Sequence, residues 1–216
     1  MGKIMEAVFC AAYLIVTGAL GAVMLRTSKG NKRRLRFALL TLVLVAGDAF
    51  HLVPRIYGAV TGTTDELYAA LSFGTLVTSI TMTVFYVLLW EFWRKRFDRG
   101  YAVSSIIVYV VAACRVALCL FPQNAWLSAD APLEWGVYRN IPFVILGGMV
   151  VWRLFRDRGA DIHFKLAWLA VILSFLFYMP VVLFANTLPI IGMLMIPKTA
   201  CYVWLIVMGY RTTKQE

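Results

Sequence analysis

Apolar residues in this chain come in long unbroken runs, each ended by a cluster of charge, a proline or a glycine. A helix needs about 20 mainly apolar residues to cross a bilayer, and seven runs reach that length, at 5–25, 37–57, 67–92, 101–121, 135–154, 164–185 and 189–210. Their connections are too short for a separate soluble domain. The pattern therefore predicts an all-α, polytopic membrane protein, with one seven-helix transmembrane domain over residues 1–216. Composition agrees. Of the 216 residues 62% are hydrophobic and 15% charged, against roughly 45–50% and about 25% for a soluble domain. Disordered, collagen-like and disulfide-stapled classes are excluded with it.

Lys and Arg beside the ends of spans are retained on the cytoplasmic side. Sixteen of the 21 basic residues fall in the first, third and fifth connections and the tail, six of them between Arg26 and Arg36. Asp65, Glu66, Asp130 and Glu134 mark the opposite side. This predicts an amino terminus outside and a carboxyl tail in the cytoplasm; Lys3 opposes it, but six charges in the short first connection outweigh one. The first run is too long for a signal-peptide core and ends in basic residues instead of a small-residue cleavage site, so it is expected to persist in the mature chain. The net charge of +10 lies in juxtamembrane connections, where topology and anionic headgroups account for it. Membrane lipids are thus expected partners and nucleic acid is not; a bacterial inner membrane suits the short, basic connections.

Ionisable groups inside hydrocarbon are costly unless paired or hydrated, so each is a functional candidate. In the second run Asp48, His51 and Arg55 stand at i, i+3 and i+7, on one side of a helix. Arg115 lies in the fourth run, Arg139 with Asn140 opens the fifth, and Lys198 follows Pro197, which places it near the middle of the seventh. Glu91, Tyr178 and Asn186 are weaker signals. Four cations surround one deep carboxylate, so either Asp48 pairs with Lys198 or Arg55 and the arginines snorkel to headgroups, or an outward-facing positive cavity takes an anionic or amphipathic small molecule. Ser72, Thr75, Ser79, Thr83 and Tyr86 make a hydroxyl stripe on the third run, suited to close helix packing and, secondarily, to a ligand path. Thr78, Thr81 and Gly74 occupy another arc. Pro54, Pro180 and Pro197 interrupt spans, each freeing a carbonyl one turn earlier.

Runs one and two compare faintly with five and six: Phe37 precedes Pro54 by 17 residues and Phe164 precedes Pro180 by 16. A three-plus-one-plus-three layout with parallel halves would follow, similar to that of SWEET and PQ-loop transporters. No Pro-Gln pair stands in the first or fifth run, and Ile196-Pro197-Lys198 only loosely resembles the Pro-Asn signature of their last helix. That resemblance implies transport. Seven spans with Lys198 in the last also look like microbial rhodopsins, and Phe177-Tyr178-Met179-Pro180-Val181-Val182 resembles the ring contact of their sixth helix; the implied function is a retinal Schiff base on Lys198. Leu194 stands where an acidic partner would be, and the third run carries no Asp or Arg between Leu67 and Leu89.

Cys10, Cys114, Cys119 and Cys201 fall inside runs without a CxxC pair and read as small buried hydrophobes. With His51 and His163 as the only histidines, no metal site and no cofactor is expected. Neither GxSxG nor HExxH occurs. The expected function is an integral membrane transporter or sensor whose ligand-binding residues are Asp48, His51, Arg55, Ser72, Thr75, Ser79, Arg115, Arg139, Asn140, Tyr178 and Lys198. The alternatives are an intramembrane enzyme acting on lipid through Asp48 and His51, an assembly subunit, and the Schiff-base protein. The sequence leaves the oligomeric state open.

Overall fold

The computed structural model describes residues 2–62, 64–96, 102–127, 132–184 and 187–214. Seven α-helices run through them: α1 Gly2–Arg26, α2 Lys32–Thr61, α3 Asp65–Arg94, α4 Ala102–Leu120, α5 Leu133–Arg156, α6 Ala167–Phe184 and α7 Met195–Lys214. No strand occurs among the described residues. Six helical segments are long and apolar enough to cross a membrane, the architecture of a multi-pass membrane protein. α5 has the length, but Arg139, Asn140, Pro142 and Arg153 dilute its apolar stretch. Arg99, Asp130 and Asn186 lie outside the described residues.

Each helix packs on its neighbours in sequence, as short connections dictate, and α7 closes the ring against α1 and α2. The tightest seam is α2 on α3, and glycine makes it. Pro54 removes the N–H that would have bonded the Phe50 carbonyl. Gly74 of α3 lies against that carbonyl so closely that a Cβ would sit 2.3 Å from the oxygen. One turn of α2 earlier, Thr78 donates to the Gly47 carbonyl at 3.0 Å, and a Cβ on Gly47 would overlap Thr81. The Gly74, Thr78 and Thr81 arc of α3 is therefore the face given to α2.

Helix ends follow local chemistry. The Asn31 side chain accepts from the backbone N–H groups of Arg33 and Arg34 and Thr64 accepts from Leu67 N–H, satisfying donors that a helix start leaves open. The seventh run divides. Pro189–Leu194 forms a 3-10 segment and the α-helix begins at Met195. Pro197 is thus in the first turn of α7, where a missing N–H costs nothing, and Lys198 is in that turn too, not at mid-helix. The prolines inside helices are Pro54, Pro142 and Pro180.

At the basic end the arginines do more than mark topology. Arg34 donates to Thr27 Oγ1 at 2.8 Å and to the Thr213 carbonyl at 3.3 Å, tying the first connection to the end of α7. Buried Arg153 pairs with Asp157 at 3.1 Å, Trp93 Nε1 donates to the same carboxylate at 3.2 Å, and Arg96, in the turn just after α3, pairs with Asp161 between α5 and α6. Beneath them Phe37, Phe92, Trp93 and Phe164 pack ring on ring, and Gly209 leaves room for the Phe37 ring.

Candidate functional site

Asp48, His51 and Arg55 share a side of α2 but not a partner. Residues i and i+7 differ by only about 20° around a helix, whereas i+3 is turned about 60° from i. Accordingly Asp48 and Arg55 face α1 and His51 faces α3. Tyr13 donates its hydroxyl to Asp48 Oδ2 at 2.6 Å, and Arg55 pairs with Glu6 at 2.6 Å. His51 Nδ1 lies 3.3 Å from the Leu71 carbonyl and 3.2 Å from Thr75 Oγ1; with that carbonyl as acceptor the proton sits on Nδ1 and Nε2 keeps its lone pair. No hydrogen bond joins Asp48 to His51. Neither expected ion pair, Asp48 with Lys198 or Asp48 with Arg55, is formed.

The α1 side of this arrangement escaped the sequence reading. Glu6, Cys10, Tyr13 and Thr17 recur at steps of 4, 3 and 4, one stripe that buries against the bundle apart from half-buried Glu6. The stripe was legible. Its functional signal is weak, because Tyr and Cys read as ordinary apolar residues and Glu6 lies in the first turns.

A central cavity of about 70 Å³ opens among α2 to α7, bordered by His51, Thr75, Thr78, Ser79, Met82, Arg115, Phe143, Tyr178, Met195 and Lys198. Arg115 is 2% exposed. Its guanidinium stacks on the Phe143 ring with Cζ 3.3 Å from the centroid, while Nε and Nη1 have no hydrogen-bond partner. The Lys198 ammonium hangs 4.6 Å above the Tyr178 ring and 5.8 Å from that of Tyr202. Neither cation has a carboxylate within ion-pair distance. Aromatic faces stabilise each by about 0.5–2 kcal/mol, a fraction of what burying a charge costs.

A larger cavity of about 310 Å³ lies among α1, α2 and α3 toward the end opposite the basic connections, bordered by Glu6, Cys10, His51, Pro54, Arg55 and Tyr68 with apolar residues between. A crevice of about 20 Å³ adjoins along Phe9, Leu52, Met195 and Thr199. His51 borders all three spaces.

Of the eleven candidate residues, His51, Thr75, Ser79, Arg115, Tyr178 and Lys198 meet at the central cavity. Arg55 belongs to the larger one. Asp48 turns to Tyr13. Arg139 donates to Asn124 Oδ1 at 2.8 Å and lies over the Trp126 ring at 4.6 Å. Asn124 in turn donates to the Leu118 and Phe121 carbonyls, closing the end of α4. That is a structural role, and Asn124 and Trp126 supply it where an external anion was expected to. Asn140 accepts from the Tyr178 hydroxyl at 3.0 Å and steadies the ring under Lys198. Ser72 accepts from Leu127 N–H at 3.1 Å. Farther along the stripe Thr83 donates to Ser79 O and Tyr86 meets the Tyr202 hydroxyl at 3.1 Å. Most of the stripe is packing, and only its Thr75 and Ser79 segment reaches the cavity.

Three cysteines are buried and Cys114 is exposed. Among the described residues no three His, Cys, Asp or Glu side chains gather to hold a metal ion. No known family, curated protein or solved structure matches the chain.

Proposed function

We propose that this chain is a membrane transporter or sensor that binds a small anionic or amphipathic molecule in the cavity between Arg115 and Lys198. One observation carries the reading: two cations on different helices border one cavity, neither in contact with a carboxylate, and Arg115 keeps two N–H groups unbonded. A buried guanidinium with open donors is costly, and a bound anion removes that cost. In this reading the larger cavity is the vestibule, His51 the partition, and the Glu6–Arg55 pair the polar margin of the entrance. By the distribution of basic residues the vestibule faces outward and the basic end lies in the cytoplasm of a bacterial-type inner membrane.

The rivals have less support. A lipid-directed acid–base reaction would want Asp48 and His51 to share a proton, and they bond to different helices. A chromophore on Lys198 would want a long slot, whereas this cavity is well under the roughly 300–1,000 Å³ of sites for larger ligands. The test is native mass spectrometry of protein extracted gently from its own membrane, with identification of retained small molecules. An acidic molecule that is retained by the unaltered protein and lost in Lys198→Met supports the reading; identical empty spectra from both overturn it. Uptake of that molecule by proteoliposomes then separates transport from sensing.

A further inference from the structure

Three observations on the central cavity limit what can occupy it. The first is room. A space of about 70 Å³ holds a few water molecules, hence a group of a few heavy atoms and no more.

The second is the supply of donors. Each hydroxyl that borders the cavity has its proton committed elsewhere: Thr75 to the Leu71 carbonyl at 2.9 Å, Thr78 to Gly47 at 3.0 Å, Ser79 to Thr75 at 2.7 Å and Tyr178 to Asn140 Oδ1 at 3.0 Å. They offer lone pairs only. The free N–H groups are the Nε and Nη1 of Arg115 and the ammonium of Lys198, which has no hydrogen-bond or ion-pair partner among the described residues. A ligand that fits has one or two acceptor atoms aimed between these cations. Its own hydroxyls would find acceptors on Thr75, Thr78 and Ser79 of α3 and on Tyr178 of α6.

The third is charge. Arg115 and Lys198 bring two positive charges. On α2, which packs against α7, Asp48 brings one negative charge and accepts from Tyr13 at 2.6 Å. The balance is one positive charge. A monovalent anion neutralises it, whereas a dianion would leave a buried negative charge uncompensated, which is strongly unfavourable.

We infer that the central cavity is a site for a compact monovalent anion, of the size of a halide, nitrate or carboxylate group, seated between Arg115 and Lys198. This rests on the anion-binding reading above and narrows it. It excludes sulfate and dianionic phosphate. Free formate and the carboxylate head of an amphiphile share this chemistry, and the larger cavity, where Ala7, Ile56, Ala59, Leu67 and Leu71 stand between the polar residues, would receive the chain of the second.

The test is thermal unfolding of the purified full chain in neutral detergent at constant ionic strength. Sodium gluconate, too large for the cavity, is replaced stepwise by chloride, nitrate, formate, octanoate, sulfate or phosphate. The expected result is saturable stabilisation by chloride, nitrate or formate and none by sulfate or phosphate beyond the gluconate baseline. Octanoate acting at lower concentration than formate assigns the carboxylate to an amphiphile; equal action assigns it to a free anion, and both support the class. Arg115→Gln and Lys198→Met should each raise the half-saturating concentration about tenfold or more, the cost of one charge-assisted contact. Stabilisation by sulfate or phosphate as strong as by formate overturns the size and charge assignment while leaving an anion site. Failure of every anion to exceed gluconate overturns the anion reading itself. The selectivity series is read on the unaltered protein and does not depend on either variant folding.

Discussion

The Tyr13 hydroxyl on α1 donates to the Asp48 carboxylate on α2 at 2.6 Å, and this contact, not an ion pair with Lys198, holds that carboxylate in place. A buried carboxylate deprived of a donor loses about 1.5–3 kcal/mol. Tyr13→Phe should therefore lower the unfolding temperature in detergent by several degrees. Asp48→Asn, whose amide oxygen still accepts from Tyr13, should cost less. If Tyr13→Phe melts with the unaltered protein, the contact contributes nothing to the fold.

A methyl group at position 74 should be one of the most damaging small changes in the molecule. Gly74 lies against the Phe50 carbonyl that Pro54 leaves without its helical donor, and a Cβ there would be 2.3 Å from the oxygen. Backbone cannot swing aside as a side chain can, so α2 and α3 must separate. Overpacking of this kind costs about 1–3 kcal/mol. Gly148→Ala is the control, since a Cβ there meets nothing within 4 Å and alanine favours helix by about 0.5–1 kcal/mol. Equal melting of the two variants would show that the close approach at Gly74 is not needed.

Run length and apolar content made seven helices legible, because hydrocarbon enforces helix wherever the chain must bury its own backbone polar groups. The start of α7 was not legible. The apolar run continues from Pro189 through Pro197, so hydropathy cannot register a 3-10 segment or the shift of Lys198 to a first turn. At the site, the residue types were legible and their partners were not. Asp48, His51 and Arg55 share a helix side in sequence, yet a rotation of about 60° per three residues sends His51 to α3 and the other two to α1. Arg139 read as a cavity cation because Asn124 and Trp126, its actual partners, lie in a connection with no periodicity to align them. A pairing between helices is a tertiary fact, and one sequence carries no signal for it.

The larger cavity predicts a reactive position. Cys10 is buried yet borders both that cavity and the adjoining crevice, beside the Glu6–Arg55 pair at 2.6 Å. In a chain whose other three cysteines are serine, a membrane-impermeant thiol reagent should modify Cys10 slowly in intact spheroplasts. Arg55→Ala, which removes one side of the entrance, should raise the rate. Partly exposed pairs of this kind contribute only about 0–1 kcal/mol, so the variant should remain folded and the comparison interpretable. Modification only after the membrane is opened would place this cavity on the cytoplasmic side and reverse the assigned orientation.

The pair between Arg96 and Asp161 predicts how the basic end responds to acid. Burial by itself raises the Asp161 carboxyl, but the Arg96 guanidinium and the backbone N–H groups of His163 and Phe164 outweigh it and hold the group below its ordinary value. The folded chain thus binds this proton less tightly than the unfolded chain does. The resulting stabilisation is fully present above the unfolded value of about 3.9 and fades as pH falls through the lower folded value. Asp161→Asn removes the charge and should be destabilising near neutral pH, where Arg96 loses this ion pair and the link between the end of α3 and the α5–α6 connection weakens. The gap in unfolding temperature between the two proteins should hold steady down to about pH 5 and narrow below about pH 4 as the native carboxylate protonates. A gap that stays constant to low pH would assign the effect to the shape of the side chain and not to its charge.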